Sequence, residues 1–138
     1  MGPKGVKPKR SAFRKIGHAV NVVRSALHEQ RKRSSRSPKW RTVEKAQLVA
    51  HPTCAACGGT IRLNVHHIKP YHLFPELELE PTNLITLCMG PMECHLRLGH
   101  GGLFRAYVVD VVTLSQKAAL SPADRAEIEK TAKDARQV

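Results

Sequence analysis

Aromatic side chains are scarce in this chain: three Phe, two Tyr and one Trp make 4% of 138 residues. That excludes a large aromatic core, while a hydrophobic content of 41% leaves material for a modest one. At this length a single domain is expected, because domains cluster near ~100–150 residues. Long apolar runs are missing too, and none approaches the ~18 residues of a membrane-spanning helix. The N-terminus is basic but has no apolar stretch or small-residue cleavage site of a secretory signal. A cytoplasmic protein is therefore expected. Acids are the third shortage: 11 Asp and Glu face 23 Lys and Arg, a formal charge of +12. Such an excess points to a polyanionic partner, most often nucleic acid, with an anionic membrane surface as the weaker alternative.

The charge is not spread evenly. Residues 1–38 hold 11 Lys and Arg and one acid, residues 39–110 hold 7 and 6, and residues 111–138 hold 5 and 4. The basicity therefore sits in an N-terminal arm attached to a nearly neutral body. Within the arm, Phe13, Ile16, Val20, Val23 and Leu27 recur at steps of three and four, which predicts an amphipathic helix capped by Ser11. Lys9, Arg10, Arg14, Lys15, Arg31, Lys32, Arg33 and Arg36 are the candidate phosphate contacts. Ser37-Pro38 then predicts a helix start, running to about Ala50 with Pro52 as its stop. Trp40 is expected to pack in the core.

All four cysteines lie between 54 and 94: Cys54-x-x-Cys57, then Cys88 and Cys94. Pairs of thiolates presented by two loops suit a tetrahedral structural zinc. Two disulfides or unused buried thiols are the competing readings, and nothing marks the chain as secreted. The second pair is separated by five residues (MGPME), so its loop must be enlarged and still close. Zinc would also stabilise a body too poor in apolar residues to fold comfortably without it.

Between the pairs, Ile61, Leu63 and Val65 alternate with polar residues and lead into His66-His67, a strand pattern. Neighbours on a strand face opposite ways, so the two histidines are expected to have different tasks. Downstream come Pro81-Thr82-Asn83 before an apolar segment ending at Cys88, then Cys94-His95 and His100.

In their order and spacing, CAAC, LNVHHIKP, PTNLITLC and CHLRLGHGG resemble an HNH endonuclease of the group stapled by a four-cysteine zinc site. The resemblance implies an α+β fold: a small ββα-metal core with structural zinc on Cys54, Cys57, Cys88 and Cys94, flanked by N- and C-terminal helices. It implies a catalytic divalent cation (Mg²⁺, Mn²⁺, Zn²⁺ or Ni²⁺) held by His66 and His95, with His67 as general base and Asn83 holding the loop around it. The implied activity is hydrolysis of phosphodiesters in double-stranded DNA, leaving a 5′-phosphate, in a bacterium or a phage-infected host cell. A non-catalytic zinc-stabilised nucleic-acid-binding module on the same scaffold is the rival reading. An imidazole suits a base at neutral pH because its ordinary pKa is near ~6.5. His100 stays open. At five residues from His95 it would sit about 140° away on an α-helix, yet a helix ended by Gly99 would let it fold back as a third ligand. A phosphate contact or a structural hydrogen bond are its other readings.

Lys69 is a candidate phosphate clamp, as are Arg97 and Arg105. Glu76, Glu78 and Glu80 alternate with Leu77 and Leu79, which reads as a half-buried extended segment with a solvated acidic face rather than an acidic metal cage. Residues 104–112 leave strand and helix both open. Ser121-Pro122 predicts a last, peripheral helix to about Arg136. The expected organisation is thus a basic arm with an amphipathic helix (1–38), a nuclease domain with zinc knuckles (39–112) and a helical extension (113–138).

Overall fold

A computed structural model of the chain describes residues 35–138. The expected helix near 11–27, and Lys9, Arg10, Arg14, Lys15, Arg31, Lys32 and Arg33, lie outside the described residues. Arg36 and Lys69 are exposed. Residues 37–138 form one compact unit with an α+β architecture.

Helix α1 runs Trp40–Ala50. It is opened by Ser37, whose carbonyl accepts the Trp40 N–H at 3.0 Å and whose Oγ accepts the Lys39 N–H at 3.2 Å. Trp40 packs with Val65 and Leu84, flanked by Val43, Leu48 and Leu79, in a small cluster on one face of the central hairpin. That hairpin pairs β1 (Leu63–His67) with β2 (Leu84–Cys88), antiparallel, with His66 opposite Ile85 and His67 opposite Leu84. Ile61 was expected to share the strand alternation. It lies before β1 and is 61% exposed, because pairing begins only where Leu63 meets Cys88.

The chain after Cys94 forms one π-helical turn, His95–Gly99. Strand β3 (Tyr107–Val108), helix α2 (Val111–Leu120), helix α3 (Arg125–Asp134) and strand β4 (Arg136–Gln137) follow. The open segment 104–112 therefore holds both structures. Val111 and Val112 enter a helix against their β propensity because Val111 is fully buried and Val112 packs on the same core.

The main core lies on the other side of the hairpin, around Leu87, Leu98, Val108, Val111, Leu114, Ala118, Ile128 and Ala132. The last helix is not peripheral: its Ile128 and Ala132 are core residues. Its contact with the turn at Gly101 is close enough that a Cβ there would stand 2.6 Å from the Ala132 carbonyl, with φ at +56°. Glycine is required on both counts. Arg136 Nη1 also donates to the Gly101 carbonyl at 2.8 Å, and the β3–β4 pair fixes the chain end. Among the described residues no helix is long and apolar enough to cross a membrane.

The acidic segment also departs from expectation. Pro75–Leu77 is a short 3-10 turn rather than extended chain, and Glu78 is buried at 5% exposure. Its carboxylate accepts the Ser37 N–H at 3.0 and 3.2 Å, which supplies the partner that burial of a charge demands.

Candidate active site

Two clusters of donor atoms draw on the hairpin, one through Cys88 of β2 and the other through His66 of β1. In the first, the sulfurs of Cys54, Cys57, Cys88 and Cys94 all lie within 4.8 Å of one another, and none is in a disulfide. Cys57 Sγ and Cys88 Sγ are 3.7 Å apart. A tetrahedral zinc with bonds near ~2.3 Å separates its sulfurs by about 3.8 Å, so the cluster fits that ion. The first knuckle closes by Gly58 N–H to the Cys54 carbonyl and Cys54 N–H to the Gly59 carbonyl, both at 2.8 Å. The enlarged second loop closes too. Glu93 takes φ at +46° and donates to the Gly90 carbonyl at 2.9 Å, which turns Cys94 inward. The hydrogen bond from Cys94 lowers the Cys54 thiol to about 4, and the same contact pushes Cys94 up. Crowded thiols cannot all ionise unaided, and a divalent cation removes that conflict. The four cysteines form a zinc-type metal site.

In the second cluster, His66 from β1 meets His95 and His100 from either end of the π-helical turn. Their ring centroids are 4.8 to 5.0 Å apart, and their ligand atoms lie within 4.8 Å of one another. The expectation that i and i+5 diverge holds for an α-helix. This turn is wider, with an i to i+5 repeat, so His95 and His100 share one face. His100 Nδ1–H donates to the Ala106 carbonyl at 2.9 Å, which leaves Nε2 as its basic nitrogen. Asn64 Nδ2 approaches His95 Nδ1 at 3.5 Å.

Burial holds His66 well below its ordinary pKa, with neighbouring His95, His100 and His67 adding to the effect. Burial and then His100 lower His95 to about 4, and burial lowers His100. All three are therefore neutral at pH 7, the form in which an imidazole can bind a cation. His66 Nε2 is buried with no hydrogen-bond partner. An orphaned ring nitrogen beside two further imidazoles is what a cation-binding site looks like before its ion is considered. The donor set fits a first-row divalent cation. Gly99 makes the approach possible, since a Cβ there would stand 3.0 Å from His66 Cε1.

His67 faces the other way, toward α1. Its Nε2–H donates to the Glu78 carbonyl at 3.0 Å, so Nδ1 is the basic nitrogen of the ring. Trp40 stacks on the imidazole at 4.5 Å between centroids and fixes its plane. Asn83, at the entry to β2, binds the loop at both its ends. Its Oδ1 accepts the Lys69 N–H at 2.8 Å, and its Nδ2 donates to the Lys69 and Leu77 carbonyls at 3.0 and 3.2 Å. The Leu77 carbonyl immediately precedes Glu78, the residue that orients His67.

Comparison with protein families bears on this arrangement directly. Residues 54–101 match the HNH endonuclease family. The match begins at the first zinc-site cysteine and ends one residue beyond His100, so it contains both clusters. No curated protein and no solved structure matches the chain. β1, β2 and the π-helical turn all lie within the matched residues and are consistent with a ββα-metal core.

The structure thus brings His66, His95 and His100 together, sets His67 beside them in sequence but on the opposite face, and ties Asn83 to the loop that orients His67. Arg97, a candidate phosphate clamp, pairs with Glu93 and Glu129, each at 3.1 Å. Sequence reasoning missed the carbonyls of Glu78 and Ala106, which carry no residue-type signal. It also missed Asn64, the close approach of Gly99 to the His66 ring and the stacking role of Trp40. Trp40 could have been found, because the lone tryptophan heads the helix that enters the HNH core.

Proposed function

We propose that the HNH segment is the centre of a metal-dependent endonuclease that hydrolyses DNA phosphodiester bonds. The observation that carries this reading is a three-histidine donor set with an orphaned His66 nitrogen, followed in sequence by His67, whose Nε2–H is held by the Glu78 carbonyl. His66, His95 and His100 hold the cation. When bound, it supplies positive charge over the phosphate in the transition state. His67 Nδ1 takes the proton from the attacking water, which needs a neutral imidazole of known orientation. The Glu78 carbonyl and the Trp40 ring supply that orientation, and Asn83 keeps the Leu77–Glu78 backbone in place. The zinc site on Cys54, Cys57, Cys88 and Cys94 holds β2 and the π-helical turn together, which keeps His95 near His66. Lys69 and the cations of the arm (Lys9, Arg10, Arg14, Lys15, Arg31, Lys32, Arg33 and Arg36) contact the DNA backbone, a contact that positions without reading sequence.

The test is cleavage of supercoiled plasmid by purified protein with Mg²⁺, Mn²⁺, Zn²⁺ or Ni²⁺ added. Cation-dependent nicking or linearisation is expected, and chelation should abolish it. Intact plasmid with every cation, alongside retained DNA binding, would instead make the protein a non-catalytic zinc module.

A further inference from the structure

Arg125, the first residue of α3, reaches the zinc knuckle from 31 positions away. Its Nη2 donates to Cys94 Sγ and to the Met92 carbonyl, both at 3.2 Å, and its side chain is only 11% exposed. The guanidinium is held in turn by Glu129, whose Oε1 accepts from Nε at 2.6 Å. Glu129 Oε2 accepts from Arg97 Nη1 at 3.1 Å, and Arg97 lies in the π-helical turn between His95 and His100. A line of charge-assisted contacts therefore joins the zinc-site sulfur to the turn that carries two of the three histidines.

Such contacts are strong because the guanidinium donor is ionised, as is the carboxylate acceptor and, once zinc is bound, the thiolate. Four thiolates around Zn²⁺ leave an excess of two negative charges, so a buried cation touching one sulfur offsets an otherwise uncompensated charge. The second bond, to the Met92 carbonyl, holds the enlarged loop that the sequence left as the weak part of the site. We propose that Arg125 is a positioning residue of the zinc site, which offsets the thiolate charge and keeps the 89–93 loop closed on the ion. This rests on reading the four-cysteine cluster as a zinc site.

The test uses the full chain loaded with zinc, and in parallel with Co²⁺, whose thiolate charge-transfer band reports the sulfurs directly. Arg125→Gln should release zinc to a chromophoric chelator about tenfold faster than wild type, the lower end for loss of an outer partner. Its cobalt band should shift. Arg125→Lys should restore part of the retention, Glu129→Gln should fall between wild type and Arg125→Gln, and Lys133→Gln on the same helix should behave as wild type. Zinc release at the wild-type rate with an unchanged cobalt band in Arg125→Gln would overturn the proposal. Should that variant not fold, Glu129→Gln decides alone: faster release supports the proposal and the wild-type rate overturns it. Wild-type protein that binds no zinc, or Cys57→Ser that retains it fully, would defeat the zinc-site reading itself and is distinguished from failure of Arg125 alone.

Discussion

At the scale of single residues, the division of labour between His66 and His67 follows from one property of a strand, that neighbours face opposite ways. One imidazole joins a donor cluster and the other rests on Trp40. Their replacements should therefore fail differently. His67→Ala should lower the cleavage rate by roughly 10²–10⁴-fold, the usual contribution of a positioned base, at unchanged cation affinity. His100→Ala should instead raise the cation concentration needed for half-maximal cleavage and leave the rate at saturation nearer wild type. Titrating Mn²⁺ in a plasmid-nicking assay separates the two, and equal cation curves for both variants would contradict the assignment. The same burial gives a pH prediction. In His95, lowered to about 4, the folded state resists the proton that the unfolded chain accepts near its ordinary pKa. The stability associated with neutral His95 is present in full above ~6.5 and is lost as pH falls toward about 4. Thermal unfolding of the zinc-loaded protein, without a second cation, should show Tm falling with acid over that window. In His95→Gln the fall should be shallower, and an identical slope would argue against burial as the cause.

At the scale of elements, the π-helical turn decides whether His100 belongs to the site. Gly99 is the residue that allows the turn to sit against His66. Replacing glycine by alanine inside a helix ordinarily gains up to about 1 kcal/mol. Here the new Cβ would meet the His66 ring at 3.0 Å, and overpacking of this kind costs about 1–3 kcal/mol. The clash wins. Gly99→Ala should therefore lower Tm and raise the cation requirement together, whereas a gain in Tm with an unchanged requirement would show that His66 yields freely. The turn also marks where the sequence stops being readable. Helix α1 was legible because Ser37-Pro38 and Pro52 bracket it, and β1 because Leu63 and Val65 alternate. The histidine and cysteine order made the site itself legible. The π geometry was not, since a change of hydrogen-bond repeat leaves no mark on residue types. Glu78 escaped for another reason: its charge is satisfied by the Ser37 N–H, 41 residues away, which no local pattern encodes. Helix α2 was hidden by Val111 and Val112, where burial outweighs β propensity.

At the scale of the whole molecule, the charge distribution along the sequence predicts that chemistry and affinity separate along the chain. The HNH segment and its flanking helices are close to neutral, with 12 Lys and Arg against 10 acids in residues 39–138, whereas residues 1–38 hold 11 cations and one acid. A near-neutral body releases few counterions on meeting DNA, so most of the salt dependence of binding should come from the arm. Each phosphate neutralised contributes about 0.9 to the slope of log K against log salt. Changing Arg31, Lys32, Arg33 and Arg36 to Gln should thus flatten that slope by at most about 3.6. Deleting residues 1–34, which removes ten of the cations, should flatten it further. Cation-dependent cleavage by the truncated protein should still be measurable at low salt, because His66, His67, Asn83, His95 and His100 all remain in the compact unit of residues 37–138. The measurement pairs a salt titration of DNA binding with the nicking assay at low ionic strength. A truncated protein that stays folded and keeps its zinc but cuts nothing would place part of the catalytic machinery in the arm. Affinity and chemistry would then no longer be separable along this chain.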